Sequence, residues 1–181
     1  LNLAVSNGYA YLAGRSLEIV DISDPANPTG VASLAFQSSP FVVTVSGSYA
    51  FVVTTLYEQE YISHLQIVDI SEPKDPVVVG MYTIPIDLPE AWFKLVVSDD
   101  YLYLLSVITG LRVLDITDPT NPLGIGQYSN QLGEAYLGID LVGSYAYLAQ
   151  AEAGLLILDI SDPSALEGLE KDPRALGRVM R

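Results

Sequence analysis

The sequence predicts an all-β fold, a β-propeller built of four-stranded antiparallel blades, with four blades in the chain. Three observations carry this expectation: a motif that returns at a blade-sized interval, a hairpin signal ahead of each copy, and short apolar runs with no helical stripe.

The motif is first met as Leu17-Glu18-Ile19-Val20-Asp21-Ile22-Ser23-Asp24-Pro25. It returns at Leu65 to Pro73, Leu111 to Pro119 and Leu155 to Pro163. Its aspartates, Asp21, Asp69, Asp115 and Asp159, are separated by 48, 46 and 44 residues. A leucine-rich repeat would recur every 20 to 29 residues or so, and sandwich strands do not repeat in sequence.

Ahead of each copy lies a turn followed by aromatic residues: Gly8-Tyr9-Ala10-Tyr11, Gly47-Ser48-Tyr49-Ala50-Phe51, Asp100-Tyr101-Leu102-Tyr103 and Gly143-Ser144-Tyr145-Ala146-Tyr147. Asn7-Gly8, Gly47-Ser48, Asp99-Asp100 and Gly143-Ser144 tolerate positive φ and form tight hairpins. Behind each copy a proline-rich turn leads into another short strand, as at Asp75-Pro76-Val77-Val78; proline lacks the N–H a ladder needs and so ends strands. Each unit therefore supplies strands A to D, at about 41–46, 49–55, 64–70 and 77–83 in the second unit. The units run approximately 1–36, 37–84, 85–130 and 131–181. In the fourth, Ser164 to Lys171 separate the motif from Asp172-Pro173, which leaves its D strand in question, with Ala175 to Met180 as the segment to supply it.

These residues resemble the LVIVD repeat of bacterial and archaeal propeller proteins over nearly the whole chain. The resemblance implies a secreted or cell-surface module and relatives with more than four blades. Since an open arc of blades would leave apolar flanks in water, a homodimer or further blades are expected to complete the ring, with a tight four-bladed ring as the third alternative. The chain begins at Leu1, which suggests a processed or excerpted polypeptide.

Composition narrows the partners. With 22 acidic against 8 basic residues the formal charge is −14, a field that repels nucleic acid and anionic membrane surfaces. No apolar run reaches a membrane span, so direct membrane insertion is not expected. There is no cysteine, which removes disulfides and thiolate chemistry. The single histidine, His64, excludes a multi-histidine metal site, and no Gly-x-Ser-x-Gly elbow supports a serine triad.

The repeated aspartates lack the dense oxygen spacing of a calcium loop. Ahead of proline they point to capping of turn N–H groups, so no cofactor or metal is expected and calcium is the minor alternative. The tyrosine pairs are expected to pack in the core or between blades with the hydroxyl at the rim, in preference to stacking on a ligand.

Because antiparallel strands alternate in direction, B–C and D–A loops must emerge on one side. The irregular segments collect there, and function in repeat proteins gathers where units differ. The candidate binding face therefore comprises Tyr57, Glu58, Glu60, Tyr61, His64, Asp87, Glu90, Trp92, Glu134 and Tyr136, aromatics beside carboxylates suited to a protein or glycan partner. A plainer reading has Trp92 and Tyr136, equivalent near the start of strand A, plugging the channel. His64, a loop residue just before strand C, reads as structural or solvated. Lys94 and Asp140 fall in strand A toward the channel, as lining, an ion pair or a polar ligand site. A non-catalytic binding or scaffold module is the leading expectation, with no catalytic residue assigned. The alternative is a carboxylate-dependent hydrolase or lyase at the channel mouth, where Glu58 with Glu60, or Glu90 with Glu134, would need to lie roughly 5–10 Å apart.

Overall fold

In the computed structural model the described residues are 2–57, 61–85, 93–107, 109–129, 135–151 and 154–168. Among them the regular structure is sixteen strands in four antiparallel sheets, the blades of an all-β propeller. The first sheet is β1 (Asn2–Ser6), β2 (Tyr9–Ala13), β3 (Leu17–Asp21) and β4 (Thr29–Leu34). The second is β5 (Pro40–Ser46), β6 (Tyr49–Tyr57), β7 (Tyr61–Asp69) and β8 (Val77–Ile84), and the third is β9 (Phe93–Ser98), β10 (Tyr101–Ser106), β11 (Gly110–Asp115) and β12 (Leu123–Ser129). The fourth is β13 (Tyr136–Val142), β14 (Tyr145–Gln150), β15 (Gly154–Asp159) and β16 (Glu167–Gly168). Each is a simple meander, neighbours in sequence being neighbours in the sheet.

The hairpin joining strands A and B has a residue at positive φ first in the turn of every blade: Asn7 at 50°, Gly47 at 57°, Asp99 at 51° and Gly143 at 56°. Asn, Asp and Gly carry the smallest penalty in this region. Between strands C and D the motif's first aspartate closes an Asx turn. Asp21, Asp69 and Asp159 each accept the N–H two residues on, at 2.8 Å. The second aspartate repeats the device: Asp24, Asp118 and Asp162 accept from the backbone of Ala26, Thr120 and Ser164 at 3.0, 3.0 and 2.9 Å. The carboxylates thus satisfy turn donors that a ladder cannot reach.

The fourth unit corrects the expectation for its D strand. Asp21 pairs with Thr29, Asp69 with Val77, Asp115 with Leu123 and Asp159 with Glu167, a separation of eight residues each time. Leu166 stands where the other units have Pro28, Pro76 and Pro122. The turn keeps its length because Ala165 N–H donates to Asp162 O at 3.0 Å, as Asn27 does to Asp24, and the leucine packs against the core. The strand opens at Glu167; the segment 175–180 lies outside the described residues.

The blades fall into two compact units, one of Leu1–Glu90 with Ile116–Pro122 and one of Ala91–Asp115 with Leu123–Arg181. The core of the first lies between its two sheets, with Tyr11, Leu17 and Ile19 against Val43, Val52 and Val68. That of the second sets Tyr103, Leu105 and Leu111 against Tyr136, Leu148 and Leu156. The second aromatic of the repeated pair is therefore core in the first three blades, where Tyr11, Phe51 and Tyr103 are 2, 2 and 3% exposed, and half-buried in the fourth, at Tyr147. Burial pushes the Tyr11 and Tyr103 hydroxyls above their ordinary pKa.

Candidate functional site

In the first unit the end of the second blade is dominated by the β6–β7 hairpin. These strands have nine residues each, whereas β2 and β3 have five. The segment Thr54-Thr55-Leu56-Tyr57 and its partner Tyr61-Ile62-Ser63-His64 are rich in β-branched and aromatic residues, so the ladder continues where a loop was expected. Strand D stops earlier: Ile84 pairs with Ser63, so Leu56, Tyr57, Tyr61 and Ile62 project beyond it as a two-stranded ribbon. Tyr57 and Tyr61 pair directly across the ribbon, with ring centroids 4.7 Å apart and planes at 42°. Tyr57 is 64% exposed. Beneath them the Thr55 and Ser63 hydroxyls share a 2.8 Å hydrogen bond.

His64 lies within strand β7 rather than in a loop before it, between Thr54 and Thr83, and its Nδ1 is 3.3 Å from Thr83 Oγ1. It is half-buried, and its hydrogen bond ties strands C and D together.

In the second unit the start of strand A is held by the B–C loops of both blades. Tyr136 N–H donates to Val107 O at 3.2 Å and Ala151 N–H to Ala135 O at 2.9 Å. D–A and B–C segments therefore meet at one end of this unit, as alternation of strand direction requires. Tyr136 itself is 2% exposed and belongs to the core, so its ring is a packing element. Its structural counterpart is Phe93 and not Trp92. A bulge at Leu137 inserts one residue into β13, so Tyr136 opposes Gln150 where Phe93 opposes Ser106.

Lys94 and Asp140 are both exposed on strand A. Lys94 opposes Leu105, as Asn2, Val42 and Gly138 oppose Ala13, Val53 and Ala149, and Asp140 opposes Tyr147. Asp140 Oδ1 accepts the Leu141 N–H at 2.9 Å. Glu58, Glu60, Asp87, Glu90, Trp92 and Glu134 lie outside the described residues. Among the described residues no three His, Cys, Asp or Glu side chains gather as a cation site.

Two polar features, one in each unit, were missed from sequence. Glu18 Oε1 accepts hydroxyl hydrogen bonds from Ser16 and Ser33, and these bonds hold its carboxyl below the ordinary pKa. The signal was there, since the same motif position holds Gln66, Arg112 and Leu156 in the other units. Gln150, at the end of β14, is 6% exposed, and among the described residues its Oε1 has no hydrogen-bond partner.

Comparison with known proteins agrees with this architecture. The model of the LVIVD repeat matches residues 1–35, 42–84, 93–130 and 137–169. Among curated proteins no sequence match was found. Of solved structures, a functionally unknown protein from Desulfotomaculum acetoxidans is similar at a TM-score of 0.68 and 18% identity, over 93% of this chain and 54% of that one. This chain thus spans about half the length of that protein. The computationally designed Ika4 protein is similar at a TM-score of 0.62 and 8% identity, over 88% of this chain and 90% of that one. At these identities the likeness concerns the fold.

Proposed function

The chain belongs to the LVIVD repeat family, and on that premise we propose that it is a non-catalytic binding or scaffold module, secreted or at the cell surface, that recognises a protein or glycan partner through its B–C/D–A loop face. One observation carries the reading. The β6–β7 ribbon lifts Tyr57 and Tyr61 clear of strand D, and Tyr57 is largely exposed despite its apolar ring. Paired aromatics that pack on one another across a hydrogen-bonded ribbon offer contact area with little side-chain freedom to lose, which suits them to sugar rings and to peptide side chains alike. The net charge of −14 favours cationic over anionic partners.

The test is calorimetric titration of the chain with a panel of neutral polysaccharides and with a lysine-rich peptide. Binding of one of these, weakened at least about tenfold (1.4 kcal/mol) by the double change Tyr57→Ser, Tyr61→Ser in a chain that keeps its strand spectrum, is the expected result. Unchanged affinity in the double variant would remove the ribbon from the site. Turnover of a glycan or ester that collapses on changing Glu58, Glu60, Glu90 or Glu134 singly to Gln would replace the binding module with an enzyme.

A further inference from the structure

Within each unit, adjacent blades meet by the same pairing of unlike faces. The face bearing the second aromatic of strand B and the leading leucine of strand C packs on the following blade's face of small and β-branched or leucine residues. In the first unit Tyr11, Ala13, Leu17 and Ile19 meet Val43, Ala50, Val52 and Val68. In the second unit Tyr103, Leu105, Leu111 and Val113 meet Ala146, Leu148, Leu156 and Leu158.

The strand register repeats both halves of this interface in the first and fourth blades, where Leu3 and Leu155 stand exposed. Tyr147, Ala149, Leu155 and Ile157 of the fourth blade hold the places of Tyr11, Ala13, Leu17 and Ile19. Leu3, Ala10, Leu12 and Val20 of the first blade hold the places of Val43, Ala50, Val52 and Val68. Exposure separates these from their counterparts: Leu155 is 43% exposed where Leu17 and Leu111 are 0%, and Leu3 is 57% exposed where Val43 is 4%. Val5, beside Leu3 on the same face, is 60% exposed. Apolar residues kept in core positions of a repeat, yet left in water, mark a surface that something of matching shape covers.

Each face already has a known complement, namely the other. From this continuity with the interfaces inside each unit, we infer that the chain associates head to tail with a second copy, the Leu155 face of one packing on the Leu3 face of the other. The contact is heterologous, so a pair closes only when both ends of both copies are engaged. Its driving force is apolar burial, while the charge of −14 on each copy opposes it at long range. Association therefore strengthens as salt rises and screens that repulsion.

The experiment is light scattering of the 181-residue chain, alone and as two variants, Leu3→Lys and Leu155→Lys, each at an exposed site that a folded monomer tolerates. The expected mass of the unaltered chain is twice 19.5 kDa, with each variant monomeric at the same concentration and retaining its strand spectrum. Mixing the two variants should restore a dimer, because one keeps an intact Leu155 face and the other an intact Leu3 face. A ladder of larger masses that either variant reduces to monomer supports the same contact left open. A monomeric unaltered chain overturns the inference. So does a dimer lost in one variant and kept in the other, since that pattern belongs to a face pairing with itself.

Discussion

A Cβ on Gly80 would stand 2.0 Å from the carbonyl oxygen of Pro119. In the second unit the same relationship joins Gly126 and Pro163, also at 2.0 Å. Both glycines follow a bulge in strand D, and they oppose Ile67 and Val113. Where another residue would carry a methylene, each presents a hydrogen to the carbonyl, a contact of the Cα–H to oxygen kind.

Gly80→Ala is therefore expected to destabilise the chain by about 1–3 kcal/mol, since the obstacle is backbone and cannot rotate away. Gly30→Ala is the control. It lies on the strand D of the first blade, a Cβ there meets nothing within 4 Å, and its cost should stay within about 0.5 kcal/mol. Urea unfolding midpoints compare the two. Equal midpoints would mean that the Pro119 turn yields freely and does not fix the glycine.

Two of the candidate aromatics of the loop face, Tyr136 and Tyr57, should part in the same assay. Tyr136 is 2% exposed among Tyr103, Leu105 and Leu148, and removing its ring should cost about 3–5 kcal/mol as for other large core side chains. Tyr57 is 64% exposed, and Tyr57→Ala should cost no more than about 1 kcal/mol, the worth of its cross-strand pair with Tyr61. A small effect at Tyr136 would return it to the pool of surface contacts.

Acid should weaken the fold through the turns. Asp24 is held below its ordinary pKa, first by the Asn27 side-chain amide at 2.7 Å and then by the Ala26 N–H. Asp118 and Asp162 are lowered likewise, by the hydroxyls and N–H groups of Thr120 and Ser164. A carboxyl whose folded value lies below its unfolded one contributes stability above the unfolded value, roughly 4, and loses it as pH falls through the folded value. Melting temperature should accordingly hold from neutral pH to about 5 and fall below about 4. In Asp24→Asn the amide oxygen still accepts a hydrogen bond but does not titrate, so the acid decline should be shallower. An identical decline in the variant would show that this turn plays no part in it.

The legible and the illegible parts of this fold divide on a physical line. Motif residues such as Asp21 and Asp159 mark strand ends because turn donors need an acceptor at a fixed offset, and a fixed offset is visible in sequence. Bulges are not visible. The one at Leu137 arises from which N–H meets which carbonyl, and it moved the partner of Tyr136 from Trp92 to Phe93. Leu166 misled for another reason: the prolines at its place in other units prevent ladder bonding, but any residue can follow a turn already closed by Asp162. The length of the β6–β7 ribbon was readable in Thr54, Thr55, Tyr61 and Ile62, whose β propensity was outweighed by the acidic residues between them.

Gln150 closes strand B of the fourth blade with a buried amide. The equivalent place in strand B holds Thr54 in the second blade, 3.5 Å from Gln66 Nε2, and Ser106 in the third, which accepts the Thr109 N–H at 3.2 Å. Gln150 Oε1 has no such donor among the described residues. A buried acceptor left without a partner costs about 1–3 kcal/mol, and removing it in favour of an apolar group of similar shape recovers part of that cost. Methionine matches the length of glutamine and adapts to irregular space. Gln150→Met should therefore raise the stability of the free chain by about 1 kcal/mol in urea unfolding. A drop in stability instead would mean that the amide is already bonded in the free protein. The expected gain would mark Gln150 as a buried acceptor held at the B–C end of the fourth blade at the expense of stability.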